Sequence, residues 1–224
     1  MTLSISARCP ETGQLGIAIS SSSIAVGARC PWVQAGTGAV ASQNITLPSL
    51  GQHILLGLAS GLNATQALKQ GLADDRFSEY RQVAVIDAKG ETAAFSGAKT
   101  LGINHTVTGI ECVAAGNMLA SAGVIDAMVA AFEASEGELA GRLIVALQAG
   151  VFAGGEAGPE HSAAVKVVDN YSWPMVDLRV DWADEDPVGQ LQRLWLAYAP
   201  QMKDYLTRAL DPRSAPGYGV PGDE

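Results

Sequence analysis

The chain opens on strict alternation. Leu3, Ile5 and Ala7 alternate with Thr2, Ser4, Ser6 and Arg8, and Leu15, Ile17 and Ile19 resume the pattern beyond Pro10-Glu11-Thr12-Gly13. A period of two is that of a half-buried strand, and Pro and Gly between two such runs suit a turn, so residues 1–22 read as a hairpin. Ser20 to Arg29 is too small and polar for a core strand and reads as a loop packed closely around something. Residues 32–43 read as one strand interrupted by Gly36 and Gly38, and glycine inside a strand marks a bulge or a close approach of backbone to ligand.

Helical spacing takes over at residues 49–59, where Leu50, Ile54, Leu55 and Leu58 share a face. A shorter helix runs from Asn63, a good N-cap, to about Gly71. Residues 82–95 form a second hairpin turning at Ala88-Lys89-Gly90, and 106–115 a further strand running into a strand-to-helix join at Gly116-Asn117-Met118-Leu119. Two helices follow, Ser121 to about Ser135 and Glu136 to about Phe152, the second closing at Gly154-Gly155. Two alternating strands cover 161–169 and 176–182. The last helix starts at Asp186-Pro187 and runs to about Leu210, with Pro200 as the place for a break. Its Trp195, Leu194, Tyr198 and Tyr205 suit packing or a homo-oligomer contact better than a cofactor box. The order of strands and helices predicts an α+β fold, antiparallel sheets covered by helices, in a single domain over residues 1–210. Residues 211–224, rich in Pro and Gly, read as a flexible tail.

Composition narrows the class. With 48% hydrophobic residues the chain can bury layers or subunit interfaces, and a net charge of −9, spread rather than blocked, argues against nucleic acid as a partner. The greasiest run, residues 143–153, is too short to cross a bilayer, so no membrane partner is expected. Three widely spaced cysteines and a start without the basic-then-apolar pattern of a secretory signal point to a reducing cytoplasm. Cysteine and histidine spacing gives no metal site, and Gly36 to Ala41 lacks the Gly-Lys-Ser/Thr of a phosphate loop, so no cofactor is expected.

Candidate chemistry begins at Thr2. Removal of Met1 beside so small a residue would leave a threonine with both a hydroxyl and a free amine, and an α-amine with a pKa of about 7.7–8.0 suits a base at neutral pH. Asn117, at a strand end, reads either as a helix N-cap or as a donor to substrate or oxyanion. His161 reads as a substrate contact or a structural residue, and Glu156 as a partner for a substrate cation or a rider on an exposed loop. His105 reads as a loop residue that can line the site.

Several stretches resemble the bacterial family called domain of unknown function 1028. They are Thr2 to Arg8, Gly13 to Ser20, Ala25 through Trp32, Gly36 to Gln43, Tyr80 to Val83, Phe95 to Gly97, Gly116 to Leu119, and Gly154-Gly155 through Ser162-Ala163-Ala164. The resemblance covers the chain to about residue 200. It implies an N-terminal nucleophile hydrolase fold, a four-layer αββα sandwich of two antiparallel sheets between helical layers, and amide hydrolysis by the N-terminal residue. By likeness to proteasome-type members, Thr2 takes the nucleophile position and backbone N–H groups at Gly36 and Gly38, with Asn117, the oxyanion hole. Ser20, Ser21, Arg29, Gln43, His105, Glu156, His161 and Ser162 are the candidate substrate contacts. The sequence departs from proteasome-type sites, which place an aspartate and a lysine near the nucleophile, in offering Ser20, Ser21 and Arg29. It departs from the family pattern of Gly-Gly-Asp, arginine and Gln-Ser-Ala-Ala in carrying Glu156 and His161 and no such arginine. The expected activity is an amidohydrolase acting on a small amide or peptide-like substrate. A non-catalytic small-molecule binder or a homo-oligomeric scaffold on the same fold are the alternatives.

Overall fold

A computed structural model describes residues 1–221 of the chain. Ten strands and five helices follow one another as β1 (Thr2–Arg8), β2 (Leu15–Ser21), β3 (Pro31–Gln34), β4 (Gly38–Asn44), α1 (Pro48–Ala59), α2 (Ala64–Ala73), β5 (Arg81–Asp87), β6 (Thr92–Ser96), β7 (His105–Gly109), β8 (Cys112–Asn117), α3 (Gly123–Ala134), α4 (Leu139–Phe152), β9 (Ser162–Val168), β10 (Val176–Val180) and α5 (Pro187–Leu210). The strands form a six-stranded sheet in the order β10-β9-β2-β1-β8-β7 and a four-stranded sheet in the order β3-β4-β5-β6. Every pairing is antiparallel.

Alternation decides which residues go where. In β1, Leu3, Ile5 and Ala7 join Val124, Met128, Leu143, Leu147 and Leu191 of the helices α3, α4 and α5 in one core. On the smaller sheet Val40, Val83 and Val85 pack with Leu50, Ile54 and Leu68 of α1 and α2. A third apolar layer, Leu15, Ile17, Ala39, Ala41, Ala84, Ile86, Val113 and Ala115, lies where the sheets meet face to face. The result is an α/β sandwich of two antiparallel sheets flanked on both outer faces by helices.

Four readings need correction. The polar residues Thr2, Ser4 and Ser6 do not face water: they point at the second sheet and are buried, so β1 is covered on both faces. Residues 32–43 are two strands, because Ala35-Gly36-Thr37 turns the chain, with Gly36 at a φ of +63° that glycine adopts without strain. The run 106–115 is likewise a hairpin, reversed at Ile110-Glu111, with Glu111 in the left-handed region. Helix α5 continues through Pro200, whose missing N–H leaves free only the carbonyl of Leu196, an exposed residue. On that helix Trp195 is buried, whereas Leu194 and Tyr205 are exposed. Of the expected tail, residues 222–224 lie outside the described residues.

Candidate active site

Thr2 begins β1 at one end of the sandwich and is 5% exposed. It stands directly opposite Asn117 of β8, while Ser21, ending β2, lies on its other side. The Thr2 hydroxyl donates to the carbonyl oxygen of Met1 at 2.5 Å, the Ser21 hydroxyl donates to the same oxygen at 2.5 Å, and the two hydroxyl oxygens are 3.4 Å apart.

Ser21 is made a donor by its neighbours. Its oxygen accepts from the backbone N–H of Ser23 at 3.1 Å and stands 2.9 Å from the Ser23 hydroxyl, which in turn accepts from Arg29 Nη2 at 3.2 Å. A guanidinium at the head of such a chain polarises each hydroxyl in turn, leaving the Ser21 proton aimed at the carbonyl beside Thr2. Arg29 Nη1 donates to the carbonyls of Ile24 and Ala25, so it anchors the serine loop as well.

On the opposite flank the side chains between the sheets form a relay. Gln82 Nε2 donates to the carbonyl of Gly116 at 2.8 Å and to Ser96 Oγ at 3.0 Å. A carbonyl can only accept, so the amide of Gln82 has one admissible orientation, and its Oε1 must face Gln43 Nε2 at 2.8 Å and Asn117 Nδ2 at 3.0 Å. Gln43 Oε1 in turn accepts from Ser4 Oγ at 2.7 Å. Asn117 therefore donates into the relay and is left with a buried Oδ1 that has no hydrogen-bond partner. Met118, the next residue, has a φ of +51°, and its backbone bonds to Leu101 and Ala157 fix the turn.

Glu156 completes the surroundings. It is 5% exposed, accepts from the backbone N–H of Ser22 at 3.1 Å through Oε2, and leaves Oε1 buried and unpartnered. Burial pushes its carboxyl up to about 8; the Met1 α-ammonium pulls it down, and the charge of Glu160 adds to the rise. The exposed-loop reading of this residue is thus corrected.

The remaining candidates divide sharply. Gly36 and Gly38 lie at the far end of the sandwich: Gly38 pairs with Asp87, five residues or about 17 Å of strand from Gln43. Gly36 lines a separate cleft of about 390 Å³ with Asp87 and Lys89, so neither glycine can hold an oxyanion at Thr2. Asn117 is not a helix cap, since α3 starts at Gly123, and its N–H₂ donates to Gln82. Ser20 donates to the carbonyl of Ser162, and Ser162 Oγ donates to that of Ser23 at 2.6 Å, so both pin the serine loop instead of facing Thr2. His161 stacks on Trp182 at 4.4 Å, its Nδ1 2.8 Å from the carbonyl of Ala183, and His105 turns to Asp126 of α3 at 3.8 Å. Sequence reading missed Ser23 as an individual residue, Ser4 and Gln82. The available signal for Gln82 was its phase, two residues before Ala84 and four before Ile86, both on the face between the sheets.

Among the described residues no group of three or more His, Cys, Asp or Glu is placed to hold a metal. Also among them, no helix is long and apolar enough to cross a membrane.

A sandwich of this class with a buried threonine at its first strand has known relatives. A model of the family of unknown function DUF1028 matches residues 2–191, and the chain belongs to that family. The crystal structure of protein SPO2555 from Silicibacter pomeroyi, also described as DUF1028, is 34% identical, with a TM-score of 0.83 over 88% of this chain and 89% of its own. Anbu, the ancestral beta-subunit, from Yersinia bercovieri matches at 9% identity and a TM-score of 0.43 over 97% and 100% of the two chains. Anbu from Hyphomicrobium sp. strain MC1 matches at 11% and 0.44 over 97% and 100%. No curated protein matches the chain.

Proposed function

We propose that the protein is an N-terminal nucleophile amidohydrolase that cleaves a small amide or peptide-like substrate after removal of Met1. The observation that carries this reading is the convergence of the Thr2 and Ser21 hydroxyls on one carbonyl oxygen at the sheltered end of the sandwich. In the proposed reaction Thr2 Oγ attacks the substrate carbonyl carbon while its own α-amine takes the hydroxyl proton. The Ser21 hydroxyl, held as a donor by Ser23 and Arg29, stabilises the developing oxyanion. The protonated amine passes its proton to the leaving nitrogen, the C–N bond breaks, and water then releases the acyl group from Thr2.

A second reading has its own support. With Met1 in place its carbonyl acylates the Thr2 nitrogen and accepts both hydroxyls, and the same end of the molecule is then a binding site without a base.

Intact mass after bacterial expression, with and without a broad β-lactone, separates the two. A mass lacking Met1 and a single adduct absent from Thr2→Ala is the result expected for the enzyme. A mass retaining Met1 with no adduct would sink the mechanism.

A further inference from the structure

The segment from Gly155 to His161, which joins α4 to β9, crosses the end of the sandwich where β1 begins. At one edge it is pinned to the residues that follow β8. There Ala120 N–H donates to the Gly155 carbonyl at 3.0 Å, Ala157 N–H donates to the Met118 carbonyl at 2.8 Å, and Glu156 forms a β-bridge with Leu119. At the other edge it is pinned to the end of β2, where His161 N–H donates to the Ser21 carbonyl at 2.8 Å and Ser22 N–H donates to Glu156 Oε2 at 3.1 Å. Strand β1 lies between β8 and β2 in the sheet, so a segment held at both spans two strand spacings, about 10 Å, across the start of β1. It is a strap over the position that precedes Thr2.

Met1 shows the size of the space beneath. Its carbonyl accepts from the hydroxyls of Thr2 and Ser21, and its side chain runs to Gly158 at the middle of the strap. Beyond its chain neighbours, a Cβ added at Gly158 would meet within 4 Å, among the described residues, only Met1: Cε at 2.9 Å and Sδ at 3.6 Å. A side chain at position 158 and that of Met1 therefore compete for one volume, and glycine leaves it to Met1. Removal of Met1, which the proposed reaction requires, opens a chamber of that length beside Thr2, under a roof fixed at both edges. Its charged neighbours have little to offer a charged guest. Arg29 is engaged by the carbonyls of Ile24 and Ala25 and by Ser23 Oγ, and burial pushes the Glu156 carboxyl up to about 8, toward its neutral form.

Resting on the reading of Thr2 as an N-terminal nucleophile, we infer that this chamber receives the acyl chain of the substrate and selects neutral, unbranched apolar chains, with Gly158 as the residue that sets the limit. The substrate carbonyl takes the place of the Met1 carbonyl at Ser21, and its chain follows the path of the methionine side chain. A chain branched near the carbonyl meets a roof that cannot lift without breaking hydrogen bonds at its edges.

Binding tests this apart from turnover. Thr2→Ala protein, confirmed by mass to lack Met1, is titrated calorimetrically with hexanamide, whose chain matches that of methionine atom for atom, and with its isomer, the amide of tert-butylacetic acid. The expected result is an affinity higher for hexanamide by about tenfold or more, the scale of one to two buried methylenes. In the same background Gly158→Val should remove that preference and Gly158→Ala should reduce it. The Gly158→Ala protein should melt with its parent, since without Met1 its Cβ meets nothing. Equal affinity for the two amides, preference for the branched one, binding of neither, or a Gly158→Ala protein that melts lower or binds hexanamide as its parent does would overturn the assignment. A β-lactone adduct on Thr2 in wild-type protein without this preference would leave the nucleophile standing and remove the acyl chamber. The preference without an adduct would leave the chamber as a binding site and remove the hydrolase.

Discussion

Gln82 sets the direction in which Asn117 faces. The two side chains come from different sheets and meet at 3.0 Å, and because Gln82 must give its N–H₂ to the Gly116 carbonyl, Asn117 can only donate to it. Replacing Gln82 by the similarly sized Met would strip partners from Asn117 Nδ2, Gln43 Nε2 and the Gly116 carbonyl together. At about 1–3 kcal/mol for each buried group left unsatisfied, Gln82→Met should lower stability by about 3 kcal/mol or more. Urea unfolding monitored alongside the parent protein reads this directly; an unchanged midpoint would contradict the relay.

Ser21 should matter more than the other serines. Loss of a single oxyanion donor costs about 10²–10³-fold in rate, so Ser21→Ala should slow acylation of Thr2 by a β-lactone on that scale. Ser23→Ala should have a smaller effect, because the backbone N–H of residue 23 still donates to Ser21 Oγ. Time courses of adduct formation by mass spectrometry rank the two.

Glu156 makes stability depend on pH in a stated direction. Its carboxyl titrates near the ordinary 4.5 when unfolded and at about 8 when folded, so the folded state favours the protonated form. Its contribution is present below about 4.5 and is lost as pH rises toward about 8, at a slope of up to about 1.4 kcal/mol per pH unit. Glu156→Gln should flatten that slope. Unfolding free energies measured from pH 5 to 8 for both proteins provide the comparison, and parallel curves would refute it.

Gly38 separates structure from chemistry. An added Cβ there would stand 2.6 Å from the Ile86 carbonyl and 2.6 Å from Leu58 Cδ1, and the carbonyl belongs to the paired strand. Gly38→Ala should therefore destabilise by about 1–3 kcal/mol through overpacking. Its rate of β-lactone labelling at Thr2 should match wild type, whereas an oxyanion role would slow it; thermal unfolding and labelling on one preparation supply both readings.

Much of the architecture was legible because its signals are local. Alternation from Leu3 to Ile19 and helical spacing from Leu50 to Leu58 each show within a few residues what they bury. The turn at Gly36 and the reversal at Glu111 were hidden for a different reason. Apolar residues continue across both, from Trp32 to Val40 and from Val107 to Val113, and periodicity alone does not separate one long strand from two short ones. Thr2 and Ser21, both singled out in the sequence, come together at one end of the sandwich with their hydroxyl oxygens 3.4 Å apart. The oxyanion reading failed at Gly36 and Gly38, because a glycine in a strand does not announce which end of a sandwich it occupies. Glu156 was ambiguous since nothing in the sequence around it reveals its burial or its hydrogen bond to the N–H of Ser22, more than a hundred residues earlier.

The relay also ties the two sheets to a single alignment. Ser4 and Asn117 belong to one sheet, Gln43 and Gln82 to the other, and around them the sheets meet largely through small residues such as Ala39, Ala41, Ala84 and Ala115. Alanine against alanine offers little to fix how far one sheet slides over the other, whereas four interlocked polar side chains admit a single alignment. A half-assembled chain, its sheets not yet docked, would leave the Asn117 amide free to turn over and Thr2 facing water. Docking of the two sheets and the orientation of Asn117 opposite Thr2 are thus one event, and a change that loosens the contact between the sheets loosens this end with it.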